Sequence, residues 1–552
     1  MNVGTKNSHA PQDIASGSAA VPRVVPDPIY RHAAPSGPWP WMNLNVGSHT
    51  NDRTNSNVPE SWQGYPQNKF RNWTTDQVKR SKMFKKCSTN QVATIYWMDV
   101  HEDGKFAAKS DVGGNDDTTV VSESTQAQDQ FWTLLSQKRP KNIRVRSLFV
   151  DDLTESVLRM LGTKYDIEPF FFTSSINWIP SRYQEALRQG KGDHITITLP
   201  FLRPEQKSLS PRTRPSPTDP EPWHFVITSD LPPANAIDIQ APFSTRDGRM
   251  LFIDLLAVHM VRDEENTIIS YHPESTGDRT SAKHLHSLIQ LVGESVYWQK
   301  IFNNSKDPTF LLLAILWYAL YEWDESLDLL YSYVSELERQ VLHLDNISLT
   351  HDLHVLEARL LHYQSLLHGF EVSVKFLETT PNPAMESHGV TDEERRDSDA
   401  LMKKECNNLL SEIDRLERRR TMLSSRLKNA MDLAFAIVNA EDSRRMQRFS
   451  YLTLVFLPAG FIAAIFTMNI KEINNGTQTL GHYVVATVSL TLLTIYVVVV
   501  LQRQNWVHRR QATFLQRVLW PIHLILRKII FPLHEMWVRQ YRGSPTDASG
   551  LA

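Results

Sequence analysis

The 552-residue chain is poor in cysteine, in surplus charge and in catalytic motifs. Only Cys87 and Cys406 are present, too few and too far apart for a disulfide framework or a zinc site. Such usage fits a reducing, cytosolic setting. Lys and Arg number 59 against 61 Asp and Glu, a formal net charge of −2, so no basic excess is available to neutralise phosphates and no nucleic-acid partner is expected. Residues 1–60 lack an apolar run, so no secretory signal peptide is expected, and their sparse basic residues show no amphipathic periodicity of a transit peptide. A phosphate-binding Gly loop is missing, and His101-Glu102 and His534-Glu535 lack the second His of a zinc motif. The chain is therefore expected to be no enzyme and to hold no resident cofactor.

What the chain does have is two long uncharged runs near its C-terminal end. Ser450 to Ile470 are 21 residues without a charge, which as a helix span about 31 Å against a hydrocarbon core of about 30 Å. Tyr483 to Leu501 form a second run of 19. Pro458 is tolerated in such a helix because neighbouring helices repair the freed carbonyl. Arg444, Arg445 and Arg448 precede the first run and Arg503, Arg509 and Arg510 follow the second, so both termini are expected in the cytosol with the 471–482 loop on the other side. A third apolar region, 514–538, is interrupted by Arg517, Arg527 and Lys528 and carries Trp520 and Trp537. It reads as a segment lying in the headgroup plane, with a short packed cytosolic helix as the alternative.

The rest divides by composition and period. Residues 1–87, rich in Pro, Ser, Asn and Gly, read as a disordered tail. Strand-like runs at 92–98, 142–150, 194–199, 224–228, 250–261 and 267–271 surround a helix at 153–165 capped by Asp152 or Thr154, giving a mixed α/β cytosolic domain over 88–305. Six prolines in 203–222 mark an exposed insertion. Long antiparallel helices are expected over 306–380, and a stalk helix over 391–449 continuous with the first of two C-terminal membrane helices, 450–470 and 483–501. The remainder, 503–552, reads as a basic cytosolic tail. Along the stalk, Met402, Cys406, Leu409, Ile413, Leu416, Arg420, Leu423, Leu427, Ala430, Ala434 and Ile437 alternate steps of four and three, a coiled-coil spacing with Arg420 the only polar interruption. Such a helix either relays movement of the cytosolic domain or only holds subunits together. The acidic cluster Glu322, Asp324, Glu325 and Asp328 reads either as a sensor of intracellular cations or as a solvated helix face.

The first uncharged run ends in "FLPAGFIAAIFTMNI" and is followed by a short loop and a second span. This resembles the CorA-type magnesium transporters, whose first span ends in Tyr-Gly-Met-Asn-Phe. Phe466, Met468, Asn469 and Pro458 stand where that pattern has an aromatic, Met, Asn and Pro; Thr467 departs from its Gly. The stretch "LFVDDLTESVLRMLGTKYDIEPFFF" looks like the CorA-like proteins of fungi. The resemblance implies a homopentamer in which five copies of the first span line a pore and the Asn residues ring its outer entrance.

Counting back from Asn469 places Ala464, Gly460, Leu457, Thr453, Phe449 and Met446 on one helix face. That face either lines the pore or lets two helices pack closely through its small residues. An Asn ring suits magnesium, which gives up its waters reluctantly, because neutral amides bind the hydrated ion through those waters. The same Asn also reads as an interfacial helix cap. The Thr467 hydroxyl offers a further water ligand, and Glu472 is the loop's acidic residue for concentrating cations. At about 2.3 kcal/mol per charge per 100 mV, a divalent ion gains roughly 4.6 kcal/mol on entering a negative cytosol, sufficient for passive uptake. The sequence thus predicts an oligomeric divalent-cation channel, or else a non-conducting membrane-anchored scaffold of the same architecture.

Overall fold

The computed structural model describes residues 25–26, 34–37, 61–85, 87, 92–108, 118–186, 192–206, 237–245, 248–263, 265–273, 280–343, 347–380, 382–386, 391–468 and 480–501. The chain divides into two compact units, Met1–Leu433 and Ala434–Ala552.

Among the described residues of the first unit a nine-stranded sheet is built from β1 (Val92–His101), β2 (Phe106–Ala108), β3 (Thr118–Ser122), β4 (Ile143–Asp151), β5 (Ser181–Ala186), β6 (Asp193–Gln206), β7 (Phe243–Ser244), β8 (Arg249–Arg262) and β9 (Thr267–His272). Its order is β2-β1-β4-β9-β8-β6-β5, with β3 on β1 and β7 on β8. β4 and β9 run parallel and every other pair is antiparallel. β9 is buried along its whole length and β8 along nearly all of it, as central strands covered on both faces must be. At the β6–β8 pairing, Asp193 lies opposite Arg262, and both side chains are 1% exposed. The Arg262 Nε donates to Asp193 Oδ1 at 2.7 Å, so neither buried charge is left alone.

Shorter helices accompany the sheet: α1 (Thr75–Ser81), α2 (Thr125–Ser136), α3 (Glu155–Lys164), α4 (Phe170–Ile176), α5 (Ala282–Glu294) and α6 (Val296–Asn304). Of the two caps the sequence allowed for α3, Thr154 is the one used, its side chain accepting from Val157 N. Three long helices follow, α7 (Thr309–His343), α8 (Ile347–Thr379) and α9 (Asp392–Thr467). α7 and α8 lie against β6.

Four expectations change. Residues 61–85, read as part of a disordered tail, are packed onto the domain: Tyr65 is fully buried and its hydroxyl donates to Ile167 O at 2.6 Å. Its ring lies so close to Gly162 that a Cβ there would sit 2.3 Å from Tyr65 Cζ, so only glycine fits. Trp73 Nε1 donates to Glu168, and Thr74 and Gln77 close a capping box on α1. Aromatic anchors, not composition, decide this segment. Residues 203–206 belong to β6 rather than to an exposed insertion, while 207–236, including the strand expected at 224–228, lie outside the described residues. The apolar seam of α9 is buried within one chain, since Cys406, Leu409, Leu416 and Leu427 are fully covered and Arg420 reaches Leu360 O on α8. A coiled coil between subunits is not needed to explain its period.

The acidic cluster is the fourth. Asp324 pairs with Arg415 at 3.1 Å and Arg419 at 2.7 Å, and Asp328 also pairs with Arg419. Glu325 pairs with Arg249 at 3.4 Å and Glu322 with Arg203 at 3.6 Å. These carboxylates are spent on arginines of α9 and the sheet rather than forming an open cation site; Asp328 and Glu325 remain on a solvated face, at 66% and 59% side-chain exposure, and Glu322 is the covered member. The second unit contains the end of α9 and α10 (Leu480–Leu501).

Candidate functional site

The candidate site is the end of α9 with its neighbour α10. α9 continues as a helix past Pro458 and stops at Thr467. There Met468 N donates to Ile465 O at 3.1 Å and Thr467 Oγ1 to Ala464 O at 2.8 Å, both bonds reaching back three residues and tightening the last turn. Thr467 therefore ends the helix with right-handed backbone and a satisfied hydroxyl proton. Thr467 has no left-handed backbone that would call for glycine, and only the hydroxyl's lone pairs are left for a water. Met468 is exposed. Asn469 and Glu472, the expected ion-binding residues, lie outside the described residues, as do the 471–479 part of the loop, Arg503, Arg509, Arg510 and the 514–538 segment.

Two opposite faces are resolved on the last turns of α9. Pro458, Ala459, Ile462, Ala463 and Phe466 form the covered stripe, and Phe466 meets Tyr483 of α10 edge to face at 5.6 Å. At 100° per residue this stripe centres about 160–180° away from Thr453, Leu457, Gly460 and Ala464. Those four are exposed, as are Met446 at 70% and Phe449 at 68%. A Cβ on Gly460 would meet nothing within 4 Å. The six residues of the expected pore face thus share one side of the helix, and α10 is on the other.

α10 contributes Tyr483, Ala486, Thr487, Leu490, Thr491 and Thr494 as a partly covered stripe at helical spacing. Thr491 and Thr494 return their hydroxyl protons to Thr487 O and Leu490 O at 2.7 Å, which satisfies them in apolar surroundings. Its other side is apolar and open: Val485 is 66% exposed and Leu492 62%, with Val484, Val488 and Leu493 beside them. The described side chains of α10 cover 481–497, about 26 Å of axis, and among the described residues no helix is long and apolar enough to cross a membrane. The whole element, Leu480–Leu501, is 22 residues without Asp, Glu, Lys or Arg, about 33 Å. Below the site Arg445 pairs with Glu441 at 2.8 Å, and no described group of three or more His, Cys, Asp or Glu is arranged to hold a metal.

A mixed α/β domain is thus continued by long helices, and the last described helix, α10, carries no Asp, Glu, Lys or Arg. Residues 255–503 match the family described as CorA-like Mg2+ transporter protein. Within those residues the chain is CorA-like, which supports membership of the CorA-type superfamily. It is similar to the complete structure of the CorA magnesium transporter from Methanocaldococcus jannaschii, at 14% identity and TM-score 0.43 over 76% of this chain and 98% of that one. It also resembles the soluble domain of CorA from Methanocaldococcus jannaschii, at 14% identity and TM-score 0.34 over 55% of this chain and 92% of that one. The third is the ZntB cytoplasmic domain from Vibrio parahaemolyticus RIMD 2210633, at 10% identity and TM-score 0.28 over 57% of this chain and 94% of that one. No curated protein matches this chain.

Proposed function

We propose that the protein is a homo-oligomeric, passive divalent-cation channel favouring magnesium, with the end of α9 lining the pore and Asn469 contributing to a ring of amides at the entrance. The observation that carries this reading is the unpartnered α9 face, Met446 to Ala464, lying opposite the stripe packed on α10. Among the described residues nothing covers that face. Assembly of several copies, five in all by family resemblance, would turn it toward a shared axis, while the apolar outer side of α10 would meet lipid.

Under this reading the stretches 450–470 and 483–501 cross the membrane. Large apolar residues at Met446, Phe449 and Leu457 constrict the path, and small ones at Gly460 and Ala464 widen it toward the entrance. Amides hold a hydrated ion loosely enough to release it. The membrane potential supplies the work and no chemical step is involved.

The experiment is flux into sealed vesicles containing the purified protein, comparing magnesium, zinc, nickel and cobalt. Wild type is expected to conduct, and Asn469→Ala to lose flux while keeping its oligomeric mass. Thr467→Gly is expected to conduct at least as well as wild type. Wild-type vesicles that stay tight to all four ions would replace the channel with a non-conducting scaffold.

A further inference from the structure

Away from the membrane end, a cavity of about 490 Å³ opens among α5, α6, α7 and α9 of the first unit, within the size range of small-molecule sites. Its two principal walls differ in chemistry. α7 presents Ala314, Trp317, Tyr318 and Tyr321, and α6 adds Tyr297 and Trp298. Spacing of three and four residues keeps the α7 set on one helix face. Tyr321 is 66% and Tyr297 51% exposed, an unusual amount of aromatic surface to leave in water beside a cavity. The opposite wall, from α9, is polar, with Glu405, Asn408 and Glu412 at the same helical spacing.

Glu405 sets the sign of the cavity. Its side chain is 3% exposed, yet its close partners are neutral: the Tyr297 hydroxyl donates to Oε1 at 2.6 Å and Asn408 Nδ2 to Oε2 at 3.2 Å. Lys404 Nζ stands at 4.0 Å and is largely in solvent. Glu412 is held by Arg415 at 2.6 Å, but that guanidinium is also engaged by Asp324. A buried carboxylate whose charged partner Lys404 stands off at 4.0 Å with its side chain 64% exposed, and which is faced by electron-rich aromatic rings, favours a further positive charge between them.

We propose that this cavity binds a small organic cation, an ammonium head carried on a compact apolar body, with the head between Glu405 and the Tyr297, Trp317 and Tyr321 rings. A bare metal ion gains little from the aromatic wall, and an anion is opposed by both walls. A neutral apolar molecule fits the rings but leaves the carboxylate uncompensated.

The test is equilibrium dialysis of radiolabelled choline against the full-length protein in detergent, with 3,3-dimethylbutan-1-ol, its uncharged isostere, as competitor. Saturable choline binding is expected, and the alcohol should compete poorly at equal concentration. Tyr321→Leu keeps an apolar side chain at an exposed position and removes the ring; Glu405→Gln keeps the size and the acceptor for Tyr297. Each is expected to weaken choline about tenfold. Tyr321→Leu decides alone if Glu405→Gln fails to fold. Absence of saturable binding, equal competition by the alcohol, or wild-type affinity in Tyr321→Leu overturns the assignment. None of these readouts involves ion flux, so the outcome is separable from that of the channel reading.

Discussion

Glu322 sits on α7 with 19% of its side chain exposed, 3.6 Å from Arg203. Burial raises its pKa from the ordinary 4.5 to about 7; Arg203 opposes the shift, while Glu325 and Asp254 add to it. The folded chain therefore holds this proton over a range where the unfolded chain has lost it. Its contribution to stability is complete below about pH 4.5 and is lost as pH rises to about 7. Glu322→Gln mimics the protonated form, so it is expected to raise Tm relative to wild type at pH 8 and leave it unchanged at pH 4. Thermal melts at both values check this, and an equal shift at the two would point to packing instead. Single residues at the membrane end divide similarly between what is local and what is not. That α9 stops near the Thr-Met-Asn stretch is legible in the sequence; that the Thr467 hydroxyl is spent on Ala464 O is visible only once the last turn is built.

At the scale of the element, α9 is held by two kinds of contact whose magnitudes differ. Its seam residues, such as Leu416 at 0% exposure, are buried, on a helix that also bonds to α8 through Arg420 and to α7 through Arg426. Its flanking arginines make exposed pairs, such as Arg419 with Asp324. Removing a buried leucine loses transfer energy and leaves a cavity, about 2–5 kcal/mol, whereas an exposed ion pair is worth about 0–1 kcal/mol. Leu416→Ala is thus expected to lower the urea midpoint strongly and Arg419→Ala barely. Comparable losses would mean that the ion pairs, not the seam, fix the helix. The period of the seam was readable from Met402 to Ile437, but its partner was not. A four-three repeat says that one face must be covered and leaves open whether a second chain or the same chain covers it.

At the scale of the whole molecule, the proposed reading puts both ends of the chain on one side of a membrane and the 471–482 loop on the other. With Cys87 replaced by Ser and Cys406 buried, Gln478→Cys is expected to react with an impermeant maleimide from outside intact cells. Ser544→Cys is expected to react only after permeabilisation. Early labelling at 544 would reverse the topology or leave the second span uncrossed.

The sequence by itself determined whatever depends on near neighbours: the length and neutrality of the two apolar runs, the period of α9, the strands β1, β4, β6, β8 and β9, and the likeness carried by Pro458, Phe466, Met468 and Asn469. The tertiary structure alone decided what depends on residues far apart in the chain. Tyr65 is ordered by Gly162 and Ile167, the acidic cluster is neutralised by arginines of α9 and the sheet, and the Glu405 cavity gathers walls from four helices. Local patterning fixes which face of an element is apolar, but the partner of that face is chosen by closing long loops and packing volumes together, and no short window of sequence contains that choice.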